Sequence, residues 1–318
     1  ATKGRVMRWI YSAAWLFQSL FLKLTPARRV VLIVALVAMF VSMRGSARGA
    51  TVSFDFTVPV AILLVGLLML ELRDKLVARY ELEAGRAVQK ALMPEYCPRL
   101  TGWEVWLFTR PANDVGGDLV DCLEVAPGRI GFMLADVAGK ALPAALLMAK
   151  VQATLRALAT DATSLPDLAA RTNQILCRDG LPNRFATLVY AEVQDDGGPV
   201  RLVNAGHLPP VVLSPGGFHE LPRGGLALGL MPSASYSEQT VDLQPGESLF
   251  IYSDGLTEAM NEAGEFFDDD RLRALFPQVQ SLAPAEAGAR ILAAIDRFVG
   301  TRRPYDDLSM VILRRRQG

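Results

Sequence analysis

The chain has 318 residues, of which 51% are hydrophobic and 21% are charged. Lysine plus arginine and aspartate plus glutamate both number 33, so no net charge attracts the protein to nucleic acid, and we expect no nucleic-acid partner. Cys97, Cys122 and Cys177 are far apart and lack the paired spacing of a zinc site or a disulfide framework, which favours a reducing compartment. The length suits one catalytic domain with an N-terminal appendage.

The first 72 residues carry most of the hydrophobic excess. One apolar stretch covers residues 30–43 and a second covers residues 58–70. Extended to about 28–46 and 54–72, each reaches the roughly 20 residues that a membrane span requires, and we predict a two-helix transmembrane hairpin. A signal peptide is the alternative, but a second hydrophobic segment follows where a small-residue cleavage site would be expected.

Basic residues orient this hairpin. The chain before the first span contains six lysines and arginines and no acidic residue. The positive-inside rule therefore places the N-terminus in the cytoplasm. Because an even number of spans returns the chain to the same side, we expect the rest of the protein to be cytosolic.

A charged helical linker is predicted at residues 73–93. Small and apolar residues recur there at alternating spacings of three and four, at Val77, Tyr80, Ala84, Ala87 and Ala91. This seam could form a homodimer contact, and an inert spacer is the alternative. Pro94 and Pro98 end the helix, so residues 94–318 form the predicted catalytic domain.

Strands and helices come in groups in the C-terminal domain. Strand-like runs cover residues 103–108, 129–134, 186–193, 200–204, 210–213, 248–252 and 308–313. Helices are predicted from Pro143 to about Leu158, after the Ser164 cap, and from Pro284 to Val299. This grouping predicts an α+β fold of sheet layers covered by helices, rather than alternating parallel βαβ units.

Four acidic motifs mark the ends of apolar runs. They are Gly116-Gly117-Asp118, Ala135-Asp136-Val137-Ala138-Gly139-Lys140, Ser253-Asp254-Gly255 and Asp306-Asp307-Leu308-Ser309. Most of them place an aspartate where a predicted strand meets a turn. Carboxylates gathered without histidine or cysteine form an all-oxygen site of the kind that Mg²⁺ or Mn²⁺ prefers. The motifs predict metal-assisted chemistry on phosphate.

Seven motifs occur in the order and approximate spacing of the bacterial metal-dependent serine/threonine protein phosphatases: residues 110–118, 135–140, 185–187, 204–210, 228–230, 252–259 and 306–309. From residue 90 to 318, the chain resembles the branch of this PPM (type 2C-like) family typified by the stage II sporulation protein E phosphatase domain and the phosphatases of sigma-factor partner-switching systems. The resemblance implies an αββα sandwich of two antiparallel sheets flanked by pairs of helices, with two or more Mn²⁺ or Mg²⁺ ions at one edge.

The resemblance also implies roles for particular residues. Asp136 would bridge two metals, helped by the Val137 carbonyl. Asp254 and the Asp306-Asp307 pair would hold the other ion, with Asp306 as the preferred direct contact, and Asp118 would bind directly or through water. The supporting residues are Gly117, Gly139, Lys140, Gly255, Asn204 and His207.

The reaction implied is attack by a metal-activated water on phosphoserine or phosphothreonine, without a side-chain nucleophile or a phospho-enzyme. The expected substrate is a phosphorylated protein such as a STAS-type anti-sigma-factor antagonist, and the expected location is the bacterial inner (cytoplasmic) membrane. Two alternatives remain: a weakly active or inactive signalling scaffold that keeps the fold, and a two-metal hydrolase of small phosphate esters.

Several residues also have simpler interpretations. His207 lies in a Gly-His-Leu-Pro-Pro turn, where structural hydrogen bonding is favoured over catalysis. Lys140 is expected to fix its loop rather than to bind phosphate. Relatives of eukaryotic type carry a histidine shortly after the bridging aspartate, whereas Ala138 and Gly139 follow Val137 here, so the leaving group must take its proton from elsewhere. Asp121 and Glu124 are expected at the surface, and Asp268-Asp269-Asp270 at a solvated helix start.

Overall fold

The computed structural model describes residues 7–8, 11, 15, 18–19, 21–46, 57–94, 97, 99–139, 141–179 and 184–317. The chain divides into two compact units, Ala1–Glu81 and Leu82–Gly318. The division falls inside a helix that runs without interruption from Thr57 to Leu92.

The first unit contains helix α1, Pro26–Ser46, and the beginning of helix α2, Thr57–Leu92. Arg28 donates to Glu71 at 2.8 Å and also pairs with Asp74. Large apolar side chains of both helices are exposed, including Val34 at 57% and Ile62 at 68%. An ion pair therefore joins the two helices, while much of their apolar surface has no partner within the described residues.

One helix among the described residues is long and apolar enough to cross a membrane, and it is Leu142–Ala159. Its Met148, Val151 and Leu155 side chains are buried against a sheet of the second unit. Its apolar composition is that of a core helix. Neither predicted span passes the same test within the described residues, so the transmembrane hairpin stays a prediction.

The second unit is built on two five-stranded antiparallel sheets, with strand orders β1-β10-β9-β6-β7 and β2-β3-β4-β5-β8. The strands are β1 Trp103–Arg110, β2 Leu119–Ala126, β3 Arg129–Val137, β4 Ala186–Gln194, β5 Val200–Ala205, β6 Val211–Ser214, β7 Gly217–Glu220, β8 Glu238–Val241, β9 Ser248–Tyr252 and β10 Leu308–Arg315. The predicted α+β sandwich of antiparallel sheets is confirmed. Strands β2, β7 and β8 were not predicted.

Four helices cover the sheets: α3 Ala141–Ala159, α4 Leu165–Arg178, α5 Asp268–Val279 and α6 Pro284–Val299. Helix α4 begins as its sequence predicts, because the Ser164 side chain accepts a hydrogen bond from the Asp167 amide at 3.2 Å. Helix α5 begins at the predicted acidic run, and Pro284 opens α6. The helical predictions of the catalytic domain are confirmed.

Strand alternation separates three apolar layers. In β3, Phe132 and Leu134 face the opposite sheet, whereas Met133 and Ala135 pack under α3 and α4. In β10, Val311 and Leu313 join the layer between the sheets, and Met310 and Ile312 pack under α5 and α6. Because both faces of both sheets are covered, the ends of the sandwich are where polar side chains can gather.

Candidate metal centre

Each sheet contributes a pair of acidic residues. Asp118 directly precedes β2, Asp136 is the penultimate residue of β3, and Leu119 pairs with Ala135 between them. In the other sheet, Asp254 follows β9 and Asp306 lies shortly before β10. Strands β9 and β10 are antiparallel neighbours, so these two residues also lie at one end of their pair. The topology thus brings together motifs that are up to 188 residues apart in the sequence.

Asp307 joins the two sheets at this end. Its Oδ1 accepts the Ala112 amide at 2.7 Å, and its Oδ2 accepts the Gly117 amide at 2.6 Å and the Asp118 amide at 3.4 Å. Both carboxylate oxygens therefore hold the loop before β2. The preference for Asp306 as the direct metal contact stays a prediction, and this geometry is compatible with it.

Glycines make this close approach possible. A Cβ atom added at Gly116 would lie 2.5 Å from Asp307 Oδ2, and one added at Gly255 would lie 1.9 Å from the Asp307 carbonyl oxygen. Neither position has room for a side chain. A Cβ atom added at Gly117 would lie 3.1 Å from the Val137 carbonyl oxygen, so Val137 and the Gly-Gly-Asp loop are in close contact.

Three carboxylates of this centre, those of Asp118, Asp136 and Asp254, have raised pKa values. Asp118 is 3% exposed, and its Oδ2 has no hydrogen-bond partner among the described residues. Burial, and then the charge of Asp136, raise the Asp118 pKa well above its usual range. Burial and the charges of Asp254 and Asp306 raise the Asp136 pKa to about 7. Burial, Glu258 and Asp306 raise the Asp254 pKa to about 6. A bound cation would remove this cost.

The donor set fits hard cations that retain water. Among the described residues, no three carboxylate, cysteine or histidine side chains come close enough to bind one ion together. Mg²⁺ is commonly bound by one or two carboxylates together with water, so the carboxylate and carbonyl oxygens of this centre suit it. The unpartnered buried oxygen of Asp118 is the donor that most requires such an ion.

His207 joins the two sheets beneath the carboxylates. Its Nδ1 accepts the Thr187 hydroxyl at 2.7 Å, and its Nε2 donates to the Tyr252 carbonyl at 3.1 Å. Burial lowers the His207 pKa to about 4, so the ring is neutral at physiological pH. Asn204 closes the turn, because its side-chain oxygen accepts the His207 amide at 2.8 Å. This geometry matches the structural interpretation of His207.

Two residues near the centre were missed by sequence reasoning. Glu258 is one of the charges that raise the Asp254 pKa. It lies four residues after Asp254 within the motif at residues 252–259, and this spacing could have indicated that the two carboxylates are close. Gln89 of α2 is 6% exposed; its side chain donates to the Gly116 carbonyl at 2.8 Å and accepts the Gly116 amide at 3.1 Å. Gln89 lies off the predicted linker seam, and nothing in the sequence marked it.

The loop after β3 is partly described. Arg184 donates to the Ala138 carbonyl at 3.0 Å, and Gly139 adopts φ of 125°, which favours glycine. Lys140 lies outside the described residues, so its predicted role is not addressed.

The prediction of a surface position for Asp121 is wrong. Asp121 is completely buried and accepts two hydrogen bonds from Arg156, at 2.7 and 2.6 Å, and one from Gln152 at 2.8 Å. Helix α3 supplies both donors. An acidic residue in a strand is expected at the surface unless a neighbouring element covers it and supplies hydrogen-bond donors. Helix α3 does both for Asp121.

Comparison with known sequences gives matches over the same domain. The family model for Stage II sporulation protein E (SpoIIE) matches residues 126–316. The chain is 30% identical over 224 residues to Protein IcfG of Synechocystis sp., covering 62% of this chain and 35% of that protein. It is 25% identical over 238 residues to Phosphoserine phosphatase RsbU of Bacillus subtilis, covering 74% of this chain and 70% of that protein. The chain thus spans about a third of the first relative's length.

Solved structures show the same fold. The SiaA-PP2C domain of Pseudomonas aeruginosa superposes with a TM-score of 0.67 at 19% identity, covering 77% of this chain and 98% of that chain. RsbX in complex with magnesium superposes with a TM-score of 0.51 at 18% identity, covering 68% of this chain and 96% of that chain. Together with the family match over most of the sandwich, these findings show that the chain belongs to the stage II sporulation protein E (SpoIIE) family of PP2C-type phosphatase domains.

Proposed function

We propose that this chain is a divalent-metal-dependent phosphatase that removes phosphate from phosphoserine or phosphothreonine in a protein. The observation that carries the proposal is the buried carboxylate centre, whose Asp118 has an oxygen without a partner among the described residues. Buried carboxylates with raised pKa values, gathered at one end of a sandwich, are typical of a metal site. The similarity to RsbU, which is named a phosphoserine phosphatase, supports the choice of reaction.

Asp118, Asp136, Asp254, Asp306 and the Val137 carbonyl would hold Mn²⁺ or Mg²⁺, with Asp307 adjacent. When bound, such ions supply Lewis-acid activation of water and of the phosphoryl group. The protein holds the metal-binding side chains in position. Asp307 holds the loop that carries Asp118. The neutral His207 links Thr187 of β4, which pairs with Asp136 of β3, to Tyr252 of β9, two residues before Asp254. We assign no side chain as nucleophile.

The proposed substrate is a phosphorylated signalling protein of the STAS type, within a pathway that regulates a sigma factor. We also propose that α1 and the first part of α2 tether the enzyme to the bacterial cytoplasmic membrane, with the phosphatase domain in the cytosol. The support is the exposed apolar surface of these helices, since such surface usually marks a contact with membrane or protein. The exposed Val77 and Tyr80 support a homodimer contact along the linker.

The test uses the full chain in detergent micelles. Phosphate release is measured from p-nitrophenyl phosphate, a phosphoserine peptide and a phosphorylated STAS domain, with Mn²⁺ and with EDTA. Asp254→Asn removes one carboxylate of the centre. Asp270→Asn makes the same chemical change where the side chain is 96% exposed, and serves as the matched control.

We expect Mn²⁺-dependent release that Asp254→Asn abolishes and Asp270→Asn preserves. Mn²⁺ binding without release from any substrate would favour the signalling scaffold. Release from p-nitrophenyl phosphate with no activity on either phosphorylated polypeptide would favour the small-ester hydrolase. Absence of Mn²⁺ binding would contradict the proposal.

A further inference from the structure

A cavity of about 190 Å³ opens beside the carboxylate centre. Gly255, which follows Asp254, lies on its wall together with Asp306. At about 30 Å³ per water molecule, this volume holds roughly six waters, which is enough for one side chain and not for a folded segment. When the phosphorylated residue of a protein substrate is bound at the carboxylate centre, a flanking residue of the same substrate would reach this cavity.

Two arginines, Arg110 and Arg302, and two aspartates, Asp296 and Asp306, line this cavity, and the two arginines differ in how they are paired. Arg110 is neutralised by Asp296, to which its guanidinium donates at 3.1 and 2.6 Å. Arg302 donates to the Asn261 carbonyl at 2.9 Å. That bond is made to a neutral carbonyl group, so it orients the guanidinium without forming an ion pair. Within the described part of the chain, no carboxylate lies within ion-pair distance of Arg302 or of the neighbouring Arg303.

The rest of the wall suits a short side chain with an acidic end. Val299, Pro304, Tyr305 and Leu308 supply carbon surface around the opening. A guanidinium presents a planar array of donors that matches a carboxylate, and Arg302 is already oriented by its backbone contact. Asp306 is the one further carboxylate on this wall, and in the proposed function a metal ion compensates its charge.

We propose that this cavity is a specificity subsite that accepts an aspartate or glutamate side chain flanking the phosphorylated residue of the substrate, with Arg302 as the recognising group. The proposal rests on the phosphatase function proposed above. It identifies the substrate segment by its charge: an acidic residue near the phosphoserine is accepted, and a basic residue at that place is disfavoured.

The test compares phosphoserine peptides of one common sequence that carry glutamate, glutamine or lysine at each flanking position in turn. The full chain with Mn²⁺ is assayed, and the readout is the ratio of kcat/KM for the glutamate and lysine peptides. For the wild type, we expect a ratio of about five to ten at one position, expressed mainly in KM and reduced at high salt. Arg302→Gln should bring the ratio close to one, and Arg302→Glu should reverse it.

Arg290→Gln is the matched control, because Arg290 is an exposed arginine on α6 that lies outside the cavity wall, six residues before Asp296. It should preserve the wild-type ratio. A purely structural role of Arg302 would lower kcat/KM for all peptides equally and leave the ratio intact, and that result would overturn the proposal. Equal turnover of all peptides by the wild type would also overturn it. No phosphate release from any peptide would instead overturn the proposed function, and the subsite with it.

Discussion

Two buried aspartates lie three residues apart at the beginning of β2, and their surroundings differ. Asp121 is fully buried and is satisfied by Arg156, Gln152 and the Cys122 amide. Asp118 is almost as buried, yet its Oδ2 has no partner among the described residues. A buried carboxylate with complete partners belongs to the fold, whereas one without them requires a proton or a cation. Asp118, the carboxylate without a complete set of partners, therefore indicates a functional site.

The largest effect on phosphate release is expected at the carboxylate centre. Asp136→Asn should lower Mn²⁺-dependent phosphate release at least about 1,000-fold, corresponding to about 4 kcal/mol, because the carboxylate next to both Asp118 and Asp254 is lost. The measurement is kcat/KM on p-nitrophenyl phosphate, with Asp270→Asn as control. A loss smaller than tenfold would contradict the assignment of Asp136 as a metal ligand.

Changes around Asp121, which has a complete set of partners, should affect folding stability instead of phosphate release. Arg156→Leu leaves Asp121 buried without its guanidinium and should cost about 3 kcal/mol, which lowers the melting temperature by about 6–12 °C. Adding Asp121→Leu should recover most of this loss. Calorimetry without metal measures the change, and Mn²⁺ affinity of the folded protein should stay the same. A large loss of affinity would mean that the two aspartates are not independent.

The pH dependence of folding stability should also distinguish the carboxylate centre from the paired Asp121. In the metal-free protein, burial raises the Asp136 pKa from 3.8 to about 7. The unfolded chain then releases this proton at lower pH than the folded one. The associated stability is therefore fully present below about pH 4 and is lost as the pH rises through 7.

Metal-free Asp136→Asn should consequently become more stable than the wild type by pH 8, by on the order of 2 kcal/mol. Melting temperatures of both proteins in EDTA from pH 5 to pH 8 test this, and Asp270→Asn should follow the wild type. A constant difference across that range would contradict the raised pKa.

The smallest effect is expected at Gln89, whose side chain makes two hydrogen bonds with the backbone of Gly116. Gln89→Met keeps a side chain of similar size and removes both bonds, so the loop carrying Asp118 becomes less ordered. We expect Mn²⁺ affinity to fall about threefold to tenfold, or about 1 kcal/mol. Lys90→Met, at the exposed neighbouring position, is the control. Unchanged affinity and unchanged amide exchange at Gly116 would show that the contact is dispensable.

Local sequence predicted much of the fold because its signals act over a few residues. The helix predicted to begin at Pro284 matches α6 at both ends, and the Ser164 cap marked the beginning of α4. The longer strands were evident from their apolar runs. Strands β7 and β8 have four residues each and mostly lack an apolar pattern, and β2 contains Asp121 and Glu124, so these three depended on neighbouring strands for their identity.

By itself, the sequence determined the helices, the longer strands, the acidic motifs at strand ends and the family resemblance, because each is written in adjacent residues. Only the tertiary structure decided that Asp307 would hold the amides of a loop 190 residues earlier in the chain, that Asp121 would be buried under Arg156, and that Arg302 would line a cavity beside Asp306. The reason is that the burial and pairing of a charge depend on what covers it, and the covering elements come from distant parts of the chain.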